Sequence, residues 1–191
     1  MDARECLMNR RSVRKYKSDP VSRADLEDVL KAACRAPSAV NLQHWHFVAV
    51  QSEERMAELR EIMGRVSGKF RPVLERRFEK HPETVVETET FLNSLGHAPV
   101  CILAFFLKND YPDRDGAMQS VSAAIENLLL AAWEKGLGSC WLSAPQRMGF
   151  GPEFQEKFAP DKGEFVALIT LGYPEAVPRM PVRREGRYTI L

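Results

Sequence analysis

The segment that constrains this chain most is VCILAFFL at 100–107, eight apolar residues in a row. It is far shorter than the roughly 18 residues a membrane span needs. It lacks the polar alternation of a strand with one wet face, so it reads as a strand buried at the centre of a sheet. Residues 116–135 read as the central core helix: Val121, Ala124, Ile125, Leu128, Leu129 and Ala132 recur at helical spacing with almost no polar interruption. Gly136 and Gly138 are expected to end it as C-cap residues.

Two more strands are legible, WHFVAVQ at 45–51 and EFVALITLG at 164–172, with a short strand or loop at 139–142. Helices are expected at 2–9, from a capping box at Ser22–Asp25 until Pro37 stops it, from Ser52 through about Val66, and at 152–158. Residues 68–95 are polar and helical, with breaks expected near Pro72 and Pro82. Residues 109–115 read as a turn-rich loop, and the Pro-containing tail from Tyr173 as extended chain. The sum is one α+β domain over 1–191. Three or four strands are few for so much apolar helix, so either a partner subunit adds a strand or the helices share an interface.

Composition excludes several classes. Hydrophobic residues make up 45% and charged residues 28%, which rules out a disordered, collagenous or disulfide-framework chain. The four Cys (6, 34, 101 and 140) form no CxxC pair and read as buried thiols in a reducing compartment. The first 17 residues are too charged for a signal peptide, so a cytoplasmic, non-membrane protein is expected. The total charge of +1 is unevenly spread: residues 1–17 carry +4 and 175–191 carry +2, which leaves −5 for the middle. The basic ends are either solvated tails or two arms that converge on one anion. The acidic middle argues against nucleic acid. His44 and His46 have no local Cys or carboxylate to complete a metal site, so no metal is expected. Met8, Met63, Met118 and Met148 read as core fillers, and Glu126 and Asn127 as residues that satisfy buried polar groups.

Three constellations carry chemistry. Arg10, Arg11, Ser12 and Arg14, in the pentad RRSVR, put three guanidinium forks and a hydroxyl within five residues, a natural grip for a mononucleotide phosphate; the bland alternative is a solvated turn. Pro37, Ser38, Ala39, Asn41 and Gln43 lie in a loop whose amides can match a flat polar ring edge, or do nothing. The segment GLGSCWLSAP at 136–145 follows the core helix; its glycines allow close backbone approach but fit no dinucleotide or Walker pattern.

In order and spacing these segments, with ENLLLAAWEKGLGSCW and ALITLGYPEAVPRMPVRR, resemble the nitroreductase family of FMN-dependent oxidoreductases over nearly the whole chain. The resemblance implies a central, mostly antiparallel sheet flanked by helices, in an intertwined homodimer with two flavins between the chains. It implies that Arg10, Arg11, Ser12 and Arg14 hold the FMN phosphate and ribityl chain, and that Pro37, Ser38, Ala39, Asn41 and Gln43 approach the flavin. Trp141, Leu142 and Ser143 would lie near its reactive edge, and Arg183, or its neighbour Arg184, would complete the phosphate site. His44 stands where the family commonly has Pro, Ala144 where many members have Gly, and 68–95 aligns with nothing.

The implied activity is hydride transfer from NADH or NADPH through FMN to a small acceptor such as a nitroaromatic or quinone, in ping-pong order. The flavin carries the chemistry, so no catalytic side chain is assigned. The alternatives are reductive dehalogenation or flavin breakdown on the same scaffold, and a non-enzymatic module that binds a phosphate ligand or nucleic acid.

Overall fold

The computed structural model describes residues 2–107 and 112–191. Its elements, in order, are α1 (Ala3–Asn9), α2 (Arg23–Ala33), β1 (Trp45–Val50), α3 (Glu53–Arg77), α4 (Pro82–Ser94), β2 (Val100–Phe106), α5 (Arg114–Glu134), β3 (Gly138–Leu142), α6 (Ala144–Arg147), α7 (Gly151–Phe158) and β4 (Glu164–Gly172). The strands form one antiparallel sheet in the order β1-β2-β4-β3. Residues 109–111 of the expected loop lie outside the described residues; Asp113 next to them caps α5 by accepting from the Gly116 amide.

β2 is buried along its whole length. Cys101, Leu103 and Phe105 pack with α3, α4 and α7, whereas Val100, Ile102, Ala104 and Phe106 pack with α2 and α5. A strand covered by helices on both faces has no position for a polar residue, which is why its sequence does not alternate. α5 supplies the second cover through Val121, Ala124, Ile125 and Leu128, all fully buried.

Several expectations need correction. α3 does not stop near Val66 but runs 25 residues through Pro72. Proline removes the amide that would bond the Gly68 carbonyl, yet Gly68 and Pro72 are both exposed, so water can take the orphaned carbonyl. Only Pro82, at the first turn of α4, acts as a boundary. α2 ends at Ala33 before Pro37 is reached. Ser22 does cap it, accepting from the Asp25 amide at 3.0 Å, but the reciprocal capping box belongs to Asp2 and Glu5 at α1. Met8 and Cys34 are exposed, unlike Met63 and the other three thiols.

Gly138 is not a cap. Gly136 takes the left-handed φ of +74° that closes α5, and Gly138 begins β3. A Cβ on Gly138 would stand 2.6 Å from Val13 Cγ2. The glycine is there because the N-terminal arm lies against β3: the Val13 amide donates to the Ser139 carbonyl at 2.9 Å, and Ser12 and Ser139 form a parallel bridge.

The arm is then pinned by Tyr16. Its hydroxyl donates to the Val13 carbonyl at 2.6 Å and lies 2.7 Å from Thr170 Oγ1 on β4. A carbonyl can only accept, so the tyrosine proton goes to Val13 and Thr170 donates to the phenol oxygen. Burial pushes the Tyr16 pKa up, which keeps that donor protonated.

Gly138→Ala is expected to destabilise the fold by about 1–3 kcal/mol through overpacking against Val13. Adding Val13→Ala should recover part of the loss. Urea unfolding of the single and double variants measures both.

Candidate functional site

The arm that leaves α1 brings the three arginines of the pentad to different supports. The Arg10 backbone amide closes α1 by donating to the Cys6 carbonyl, and its side-chain Nε lies 3.3 Å from Glu126 Oε1 on α5. Arg11 donates from Nη1 to the Asn9 carbonyl at 2.9 Å, and its guanidinium sits 5.9 Å from the Trp133 ring. Its Nε is buried with no hydrogen-bond partner, as is Ser139 Oγ across the bridge from Ser12. Arg14 lies 6.0 Å from the Phe91 ring of α4, within reach of a cation–π contact.

The two basic ends of the chain do meet along their backbones. Lys17 donates to the Tyr173 carbonyl at 2.9 Å and Glu175 to the Lys15 carbonyl at 3.1 Å. Beside this junction is a cavity of about 210 Å³ lined by Ser12, Arg14, Lys15, Glu175, Ala176 and Pro178. Arg183 lies farther along the exposed tail, and among the described residues no bond joins it to the pentad.

The loop after α2 carries backbone strain. Ala39–Asn41 form a 3₁₀ turn, and Val40, Asn41 and Gln43 take left-handed φ values of 51°, 56° and 50°. Such a conformation is rare for a β-branched residue. The loop is held by the Gln43 amide donating to Ser38 Oγ at 3.1 Å and the Ala39 amide donating to Ser120 Oγ on α5 at 3.0 Å. Pro37, Asn41 and Gln43 are exposed. At the other end of α5, Trp141 is 36% exposed on β3, Leu142 is buried and Ser143 is exposed.

The pentad and residues 138–143 are thus brought together at the edge of β3. The loop at 37–43 is anchored six residues away from Glu126 along α5, about 9 Å of helix axis. Glu126 pairs with Arg10, and Asn127 donates to the Ala32 carbonyl at 3.4 Å, as a polar residue on a packed helix should. Phe91, Trp133 and Ser120 support the candidate residues without any sequence signal of it; Phe91 lies in the stretch that matched no pattern.

Chemically this is a donor-rich surface. Three guanidiniums, a serine hydroxyl and a buried, unpartnered Arg11 Nε suit a phosphate-bearing ligand. Nucleophilic thiol chemistry is disfavoured: burial raises the Cys140 pKa and pushes Cys101 up to about 12. Among the described residues no group of three or more His, Cys, Asp or Glu could hold a metal ion.

Comparison with known proteins gives a consistent result. A model of the Nitroreductase family matches residues 7–173. The Bacillus subtilis protein named "Putative NAD(P)H nitroreductase YfhC" is 33% identical over 96% of this chain and 90% of its own length. The iodotyrosine deiodinase of Thermotoga neapolitana is 30% identical over 87% of this chain and 85% of its own. The crystal structure of a nitroreductase with bound FMN from Bacteroides fragilis superposes with a TM-score of 0.75 at 26% identity, covering 100% of this chain and 99% of the other.

Cys34 is the exposed thiol and the other three are buried. Burial raises the Cys101 pKa and keeps that thiol protonated near neutral pH. A thiol reagent under native conditions is therefore expected to modify about one cysteine per chain, Cys34, and all four only after unfolding; mass spectrometry of the labelled peptides reads this out.

Proposed function

The chain belongs to the nitroreductase family, and from that premise we propose that it is an FMN-dependent oxidoreductase. It takes hydride from NADH or NADPH and passes it to a small acceptor such as a nitroaromatic or quinone. The observation that carries the reading is the pentad held against β3, with a guanidinium nitrogen buried and unpartnered at its centre. The solved relative with bound FMN and the relative named for NAD(P)H support the cofactor and the donor.

Arg10, Arg11, Ser12 and Arg14 would hold the phosphate, with Arg183 reaching it from the tail. Pro37, Ser38, Ala39, Asn41 and Gln43 would border the ring, and the backbone at Trp141, Leu142 and Ser143 its reactive edge. FMN, when bound, supplies the group that accepts and returns hydride. The residues of this chain bind and orient it, and leave one place that the nicotinamide donor vacates before the acceptor enters, which gives ping-pong kinetics.

We further propose a homodimer of single-domain chains that acts in the cytoplasm. Leu7 and Met8 on α1, Val40 and Leu42 in the strained loop, and Val182, Tyr188, Ile190 and Leu191 in the tail are exposed apolar side chains that a second copy would cover. Such an arrangement would bring Arg183, or the 37–43 loop, to a pentad from the other chain.

The deiodinase relative favours one second reading, reductive dehalogenation on the same scaffold. The α3–α4 hairpin, which contains the unaligned 68–95, is where the substrate contacts that separate the two would lie.

The purified protein is expected to be yellow, to release FMN rather than FAD on denaturation, and to sediment above its single-chain mass of 21.7 kDa. Anaerobic mixing with NADH or NADPH should bleach the flavin, and a quinone should restore it in a separate phase. Release of FAD, or a flavin that neither nucleotide bleaches, overturns the proposal. Restoration by an iodinated phenol with loss of iodide, and not by quinones or nitroaromatics, selects the second reading.

Arg11→Ala is expected to weaken FMN binding roughly tenfold to a hundredfold, the equivalent of about 1.5–3 kcal/mol for a lost charge-assisted contact. Arg187→Ala, in the exposed tail, should leave it unchanged. Fluorescence titration of each apoprotein compares the two.

A further inference from the structure

Glu126 has no task in the reaction, yet its carboxylate lies against a guanidinium that the proposed cofactor's phosphate must claim. Among the described residues, Arg10 is the one arginine of the pentad in an ion pair with a carboxylate. The Arg10 side chain is 21% exposed and that of Glu126 43%, so the pair is partly shielded from water. The distance from Nε to Oε1, 3.3 Å, is longer than the 2.7–2.9 Å of a strong charge-assisted bond. The terminal nitrogens of Arg10 remain for a second anion. The backbone under Arg10 is fixed by the bond from its amide to the Cys6 carbonyl at 2.9 Å, so a phosphate gripped by this guanidinium would come close to Glu126.

We infer that Glu126 is a built-in competitor for Arg10, an anion that sets the affinity of the pentad for phosphate-bearing flavin below what its three arginines alone would give. The inference rests on the FMN reading above. Two effects of the carboxylate oppose each other. Holding Arg10 in one rotamer favours binding, and placing a negative charge beside a phosphate that carries nearly two opposes it. The second is larger, because both anions share one guanidinium and the site is only partly open to screening.

The two effects separate by substitution. Glu126→Gln keeps an oxygen that can accept from Arg10 Nε and removes only the charge; Glu126→Ala removes both. Apoprotein of the wild type and of each variant is titrated with FMN and with riboflavin, which lacks the phosphate, at low and at high salt. Glu126→Gln should bind FMN about five- to tenfold more tightly at low salt, Glu126→Ala should gain less, and the gain should shrink as salt rises. Riboflavin binding should not change. FMN affinity that is unchanged or lower in Glu126→Gln overturns the inference, as does an equal gain for riboflavin, which would mean that the effect does not pass through the phosphate. A wild-type chain that binds no FMN overturns the functional reading and this inference with it, whereas normal FMN binding that ignores Glu126 removes the inference alone.

Discussion

A strand with no polar side chain on either face can sit only where helices cover it twice, and β2 is such a strand. Everything else is arranged around that demand. α5 must be apolar along one long face to cover β2 from one side, and α3, α4 and α7 must close the other. The sheet cannot be extended freely from β2, because both of its neighbours, β1 and β4, already pair with it. What remain are the outer edges of β1 and β3, and the N-terminal arm docks on that of β3.

The candidate site is a by-product of the same packing. α5 seals the core with Val121, Ile125 and Leu128, and offers Ser120 to the 37–43 loop and Glu126 to Arg10. The helix that the core requires is therefore also the ruler along which the two parts of the site are spaced. Trp133, near its end, backs Arg11, and Phe91 of α4, in the same buried cluster as Trp133, backs Arg14. The guanidiniums are thus carried by aromatic and carboxylate supports that belong to the core layers.

Periodicity made some of this legible in sequence and left the rest dark. β1, β2, β4 and α5 were readable because burial imposes their residue types directly. β3 was only half readable, since GSCWL is short and mixed. α3 runs past its expected end near Val66 because Pro72 is not a break here; exposure of Gly68 and Pro72 lets water do what the helix cannot. Gly138 looked like a cap because the reason for it, Val13, lies far away in the chain. The pentad and the 37–43 loop were found as residue patterns and through resemblance to a family. That Arg10 faces Glu126 and Arg14 faces Phe91 follows from tertiary packing, which no local window contains.

The clamp that Tyr16 makes with Thr170 joins residues 154 positions apart. Both strands that the arm touches come from the last third of the chain. During synthesis, α1 and the pentad leave the ribosome well before β3 and β4, the strands against which the arm is pinned. Closing a loop over such a distance costs more chain entropy than forming the local helices or the shorter-range β1–β2 pair. The arginine cluster is thus written long before the partners that pin it: a chain cut short before β4 would lack Thr170 and with it half of the Tyr16 clamp.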